Sequence, residues 1–206
     1  MAVEELVGSL RAVGLDGFAL TDHNAVRGHE ELRALAGARP DVLLLPGVEI
    51  STREGHLLLY GVEEAPPAHR PFSETLEWAE RRGAVAVPAH PFRWTHGVGR
   101  RISESATVPA LEVLNGHNGP GANRRAATIA AHRGLGATGG SDAHLPGELG
   151  RAYTVFPDSA RSLEGLIDSL CRGRTTAGGS AAPLLHRARS GLRSGVLRIS
   201  RGLRPI

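Results

Sequence analysis

Five side chains in this 206-residue chain recur at one kind of position, and their three types, His, Glu and Asp, all bind metal ions. Asp142 and His144 follow the apolar run Leu135 to Thr138 and the pair Gly139-Gly140. His23 follows Phe18-Ala19-Leu20, and His90 follows Ala84 to Val87. Glu49 follows Val42 to Leu45 and the bend signal Pro46-Gly47. Carboxylate oxygen and neutral imidazole both take divalent cations, but an isolated Asp-x-His pair carries little weight. The recurrence carries more. Each residue lies just past an apolar run, at the carboxyl end of a predicted strand, where parallel α/β sheets gather their ligands. That regularity predicts one metal site holding His23, Glu49, His90, Asp142 and His144.

The elements that must position them alternate. Helices are predicted at 4–13, 27–38, from about Ser73 (as N-cap) to Gly83, at 122–133 and at 163–171. Strands are predicted at 17–20, 42–45, 55–61, 84–87, 110–114, 135–138 and 152–156, with a Gly/Arg-rich loop over 92–105. The alternation indicates an α/β domain with a largely parallel sheet.

Composition bounds the function. With 41% hydrophobic and 22% charged residues the chain reads as a soluble globular domain. No apolar run approaches the ~18 residues of a membrane span, and one cysteine, Cys171, fits a reducing cytoplasm. Residues 1–168 carry 16 Arg and 21 acids, whereas 169–206 carry 8 Arg and no acid. The expected organisation is therefore a metallohydrolase-like domain over 1–178 and a basic tail over 179–206. Lysine is absent, so a phosphate would be met by Arg, His, backbone amides or a metal.

The ordered set Thr21-Asp22-His23, Gly47-Val48-Glu49-Ile50, His56 before Leu-Leu-Leu-Tyr-Gly, Ala89-His90-Pro91, Glu112-Val113-Leu114-Asn115 and Gly140-Ser141-Asp142-Ala143-His144 resembles the PHP (polymerase and histidinol phosphatase) superfamily. It is closest to the small stand-alone phosphoesterases that act on nucleotides and short nucleic acids. The resemblance implies a distorted seven-stranded β/α barrel with up to three divalent metals, Mn, Zn or Fe. It implies that Glu49 bridges two metals, with His56 and His90 completing one. Asp142 would belong to the other of that pair, and His23 and His144 would help hold a third. Asp22 is expected to orient the strand-end loop or an imidazole.

The family pattern opens with a strand carrying His-x-His, and no His precedes His23 here. The expectation is a barrel missing its first strand, from a chain that starts late or has degenerated. Arg93, Asn115 and His117 are expected on the substrate side, with Arg100 and Arg101 near by. His29, His69, His132 and His186 are expected at the surface, and Cys171 in the core. From Pro183 onward, Leu185, Leu192, Val196, Ile199 and Leu203 fall at helical spacing among Arg residues, fitting a helix packed on the domain or a frayed tail.

The expected function is metal-dependent hydrolysis of a small phosphorylated substrate, a nucleotide or oligonucleotide, with no stable nucleic-acid complex. Two close cations would polarise the phosphoryl oxygens and supply a hydroxide, making Glu49 and Asp142 the catalytic carboxylates. Hydrolysis of a carbamate or another ester on the same site, or a non-catalytic metal-binding module, are the rivals.

Overall fold

Residues 3–181 are described here by a computed structural model, so the basic tail from Pro183 and His186 lies outside the described residues. α1 (Val3–Ala12) buries Leu6, Val7 and Leu10 on one face and ends before Gly14, whose φ of 69° suits glycine. β1 (Gly17–Leu20) and α2 (His29–Ala38) follow, then β2 (Leu43–Ser51) and β3 (His56–Tyr60). α3 (Phe72–Arg81), β4 (Val85–Pro88), α4 (Gly99–Ser105), β5 (Ala110–Asn115) and α5 (Pro120–Arg133) continue the alternation. β6 (Gly136–Gly140), a 3-10 turn (Pro146–Glu148), β7 (Ala152–Val155), α6 (Leu163–Cys171) and β8 (Thr176–Gly179) complete it.

The strands form a four-stranded sheet in the order β1-β2-β3-β4 and two ladders, β5-β6 and β7-β8. The sheet is mixed rather than largely parallel: β1/β2 and β5/β6 run parallel, whereas β2/β3, β3/β4 and β7/β8 are antiparallel. Ladder pairing does not close these eight strands into a barrel. Side chains and single backbone bonds bridge the seams instead. The Thr154 hydroxyl joins β7 to Gly139 of β6, and Ala137 N–H donates to Thr175 O at 3.0 Å.

β2 extends well past its predicted end. Pro46-Gly47 does not break it, because the strand changes partner there. Leu43 to Pro46 pair with β1, and Gly47 to Ser51 pair with β3. Proline lacks an N–H for a second ladder, and here it needs none, since its carbonyl accepts from Gly61 N–H at 2.9 Å. Glu49 thus lies inside a strand rather than beyond one. The isolated pairing of His23 with Glu49 then keeps the β1/β2 register, three residues past Leu20 and Pro46.

β3 is buried along its whole length, as its run Leu57-Leu58-Leu59-Tyr60 requires. Leu58 and Tyr60 pack with Val85, Val87, Leu166 and Leu170, while Leu57 and Leu59 pack with Phe72, Ala79 and Val98. α5 covers β5 through Ala126 and Ala130 against Leu111 and Val113. Ser73 does not cap α3. Its first free amide, Phe72 N–H, donates instead to the distant Glu54 carboxylate at 2.7 Å. α4 occupies the end of the segment expected as loop. Two further expectations are corrected. Cys171, at the end of α6, is exposed rather than core. His29 is buried, its Nε2 bonded to Gly47 O at 2.9 Å, because the first turn of α2 faces β2. His69 and His132 are exposed, as expected.

Candidate metal centre

Four of the expected ligands meet at one carboxylate. Glu49 Oε1 lies 2.9 Å from His56 Nδ1 and 2.9 Å from His90 Nε2, and Oε2 lies 3.3 Å from His23 Nε2. The His56 ring stands edge-on to both neighbours, at 5.0 Å from His23 and 5.2 Å from His90 between centroids. Each arrives from a different element: the turn after β1, the start of β3 and the turn after β4. Antiparallel pairing explains why His56 opens its run yet belongs here: β3 starts where β2 ends, so Ser51 pairs with His56.

The turns are held in uncommon conformations. Asn24, His90 and Asp142 have φ of 54°, 29° and 52°, each just past a strand that feeds the site. Left-handed non-glycine backbone costs of order ~1–3 kcal/mol and persists only where the surroundings enforce it. Asn24 is enforced by its amide, which bonds Ser51 N–H at 2.8 Å and Ser51 Oγ at 3.1 Å. His90 is enforced by Glu112, whose Oε2 accepts the His90 N–H at 2.5 Å.

Asp142 stands on the other side. Its carboxylate is paired with Arg93, whose guanidinium also donates to Asn115 Oδ1 at 2.7 Å and Asn118 Oδ1 at 3.2 Å. Asn115 is fully buried, and its amide donates to both Glu112 oxygens at 3.1–3.2 Å. His144 stands by Asp142, its Nδ1 2.9 Å from Asp142 O. It groups with His117 and Glu148, whose ligand atoms lie within 4.8 Å of one another, as do those of His23, Glu49 and His56.

Electrostatics follow from burial and neighbours. Burial pushes the Glu49 carboxyl up, but the hydrogen bonds from His56 and His90 and the imidazole charges outweigh it and hold it well below the ordinary range. Burial likewise opposes Asp142, and the Arg93 charge brings it down. His90 is lowered by burial, which favours the neutral ring that can ligate. Glu112 is pushed up to about 8, by burial first and then by the Asp142 charge.

The donor set fits divalent ions. Three imidazoles and a shared carboxylate, with donor separations of 2.9–3.3 Å, match the edges of a coordination shell whose bonds are ~2.0–2.2 Å. Buried His90 Nδ1 lacks a hydrogen-bond partner among the described residues.

Sequence reasoning left three neighbours without a role. Glu112 did carry a signal, since a carboxylate inside an apolar strand is expensive to bury. Glu148 and His96 carried none. His96 lies parallel to the His56 ring, 4.6 Å between centroids and 6° apart, and its carbonyl accepts His56 N–H at 2.9 Å.

Comparison with known proteins gives one family profile and several similar folds. The PHP-associated family profile (PHP_C) matches residues 120–175, which include Asp142, His144 and Glu148. MJ1587 of Methanocaldococcus jannaschii, a protein described as uncharacterized, is 32% identical over 110 residues, 52% of this chain and 63% of its own length. A two-domain protein of Bacteroides vulgatus, described as containing a predicted PHP-like metal-dependent phosphoesterase, superposes with a TM-score of 0.69. It is 22% identical, covering 85% of this chain and 60% of that one. This chain thus spans less than two thirds of either relative. An amidohydrolase of Chromobacterium violaceum with bound sulfate and no metal gives a TM-score of 0.59 at 19% identity, covering 80% and 89%. In its ordered motifs, its α/β fold and the profile match across Asp142 and His144, the chain is similar to proteins of the PHP superfamily.

Proposed function

We propose that this chain is a metal-dependent phosphoesterase acting on small phosphate esters, of nucleotides or short oligonucleotides. The observation that carries the reading is the single buried Glu49 carboxylate ringed by His23, His56 and His90, with Asp142 and Arg93 beside it. His23, Glu49, His56 and His90, with Asp142, would hold divalent ions. Such ions, when bound, polarise phosphoryl oxygens and lower the pKa of a water.

The side chains supply the rest. Glu49 is held ionised and offers one oxygen to His56 and His90 and the other to His23. Arg93 is kept at the pocket by Asn115 and Asn118, and its planar fork suits a phosphate's paired oxygens. No protein nucleophile is needed for this chemistry.

The test is phosphate release from a nucleoside bisphosphate, a nucleoside monophosphate, a short oligonucleotide and glycerol phosphate, with Mn²⁺ and with a chelator. Cation-dependent release from at least one substrate supports the reading, and none from any overturns it. Fold likeness to an amidohydrolase favours one second reading, cleavage of an amide or carbamate. It predicts turnover of an N-acyl substrate where the phosphate esters fail.

A further inference from the structure

We propose, building on the phosphoesterase reading, that Trp94 is the stacking platform for the base of a nucleotide whose phosphate Arg93 holds. Trp94 then separates nucleotides from plain phosphate esters at this pocket.

Trp94 is 99% exposed, and it is the only aromatic among the large hydrophobic side chains left exposed in the described residues. Aromatic residues make up just 4% of the chain, so an indole spent on solvent is conspicuous. The other tryptophan, Trp78, packs against the core and is covered by the Arg82 guanidinium at 4.1 Å. An indole in water forgoes the burial and ring contacts that make it energetically useful.

The loop that bears Trp94 is pinned along its length. Phe92 packs with Val108 and Leu111, and Val98 is buried with Leu57 and Leu59. Arg93 N–H donates to His90 O at 2.8 Å, Gly97 N–H to Arg93 O at 3.1 Å, and Gly99 N–H to Pro91 O at 2.9 Å. A Cβ on Gly97 would lie 2.5 Å from Pro91 O, so the turn closes only around glycine. The indole is therefore carried on a fixed backbone, and a ring that stacks on it need not order the loop first.

The flanking residues belong to the Glu49 pocket. Arg93 pairs with Asp142, and the His96 ring lies parallel to that of His56. Successive Cα atoms stand about 3.8 Å apart, so one small ligand can reach both Arg93 and Trp94. The Arg93 fork suits a phosphate, and the indole face suits a flat ring joined to it. Thr95 and His96 beside the indole are polar and exposed, so this part of the loop offers no contiguous apolar patch for a protein partner to cover. Every base has a π-face, so this contact selects nucleotides without selecting among bases.

The test compares AMP with glycerol phosphate as substrates of the Mn²⁺-loaded chain, for wild type, Trp94→Ala and Trp94→Phe. Trp94→Ala is expected to raise KM for AMP about 10–100-fold more than KM for glycerol phosphate, the range of one base–aromatic stack, with kcat for AMP little changed. Trp94→Phe keeps a ring and should restore most of the loss. Equal KM changes for the two substrates, or none for AMP, overturn the proposal. Tryptophan emission on rapid mixing of the Zn²⁺-loaded chain with AMP gives a readout that needs no turnover. Quenching is expected in wild type and not in Trp94→Phe, with glycerol phosphate quenching neither. Should no phosphate ester be hydrolysed, the phosphoesterase reading falls, while that quenching pattern still assigns the stacking site. Absence of quenching in wild type, or equal quenching in Trp94→Phe, overturns it.

Discussion

Glu112 bonds His90 across a seam that the ladders leave open: its carboxylate takes the His90 N–H at 2.5 Å, joining β5 to the end of β4. The same carboxylate takes the Asn115 amide, and Asn115 in turn accepts from Arg93. A single buried acid thus sets the backbone of one candidate ligand and backs the arginine that neutralises another.

That acid predicts an unusual pH dependence. Burial and the Asp142 charge raise Glu112 from its ordinary 4.5 to about 8, so the folded protein binds its proton more tightly than the unfolded chain. The stability from this group is full below about pH 4.5 and is lost as pH rises toward 8. Glu49, held low, works the opposite way and loses its contribution as pH falls below the ordinary value. Burial lowers His90, which works against Glu112 in this window, so urea unfolding of the metal-free protein should show wild type losing stability relative to Glu112→Gln between pH 5 and 8. A pH-independent difference between the two would remove Glu112 as a titrating group in this range.

Gly140 is where β6 passes the same carboxylate. A Cβ there would lie 2.6 Å from Glu112 Oε1, so in Gly140→Ala the carboxylate that also holds the His90 N–H must shift. The expected cost is about 1–3 kcal/mol, for crowding and a weakened buried hydrogen bond. Urea unfolding measures it. Zinc affinity should fall about 10–100-fold, as when a ligand's supporting contact is lost.

His29→Leu tests the burial that composition alone hid. The variant keeps the volume but leaves Gly47 O without its 2.9 Å partner, beside the point where β2 changes ladders. We expect a loss of about 1–3 kcal/mol in urea unfolding. A change under ~0.5 kcal/mol would mean His29 behaves as the surface residue its helix position suggested.

Arg93→Ala strips Asp142 of its counter-charge. The carboxylate side chain is 14% exposed, so the metal-free variant should lose about 1–3 kcal/mol at neutral pH. Asp142 is held low by Arg93, so the difference should shrink as pH falls through its ordinary value of 3.8 and below. Thermal unfolding at pH 7 and pH 3 checks both statements.

Much of the site was legible because strand ends are legible. Apolar runs located β1, β4, β5 and β7 within a residue or two, and the residues following them supplied His23, His90 and Asn115. Glu49 was found for an incomplete reason. Pro46-Gly47 reads as a break, and only pairing shows one strand serving two ladders. β8, Thr-Ala-Gly-Gly, has no apolar run to reveal it and is held by pairing with β7. Local sequence also said nothing of Glu148, since its partners are backbone amides that the turn itself creates. Periodicity put Cys171 on an apolar face, but it is the last residue of α6 and lies beyond the neighbours that bury Leu166 and Leu170.

We propose that Glu49 organises a cation-dependent hydrolytic pocket, and Glu49→Gln is its direct test. The substitution keeps shape while removing the charge that His23, His56 and His90 surround. Mn²⁺-dependent phosphate release by the folded variant, relative to wild type, is the measurement. The expected fall is about a thousandfold or more, the several kcal/mol that bound ions contribute to such reactions. A variant that keeps its rate within about threefold would contradict it.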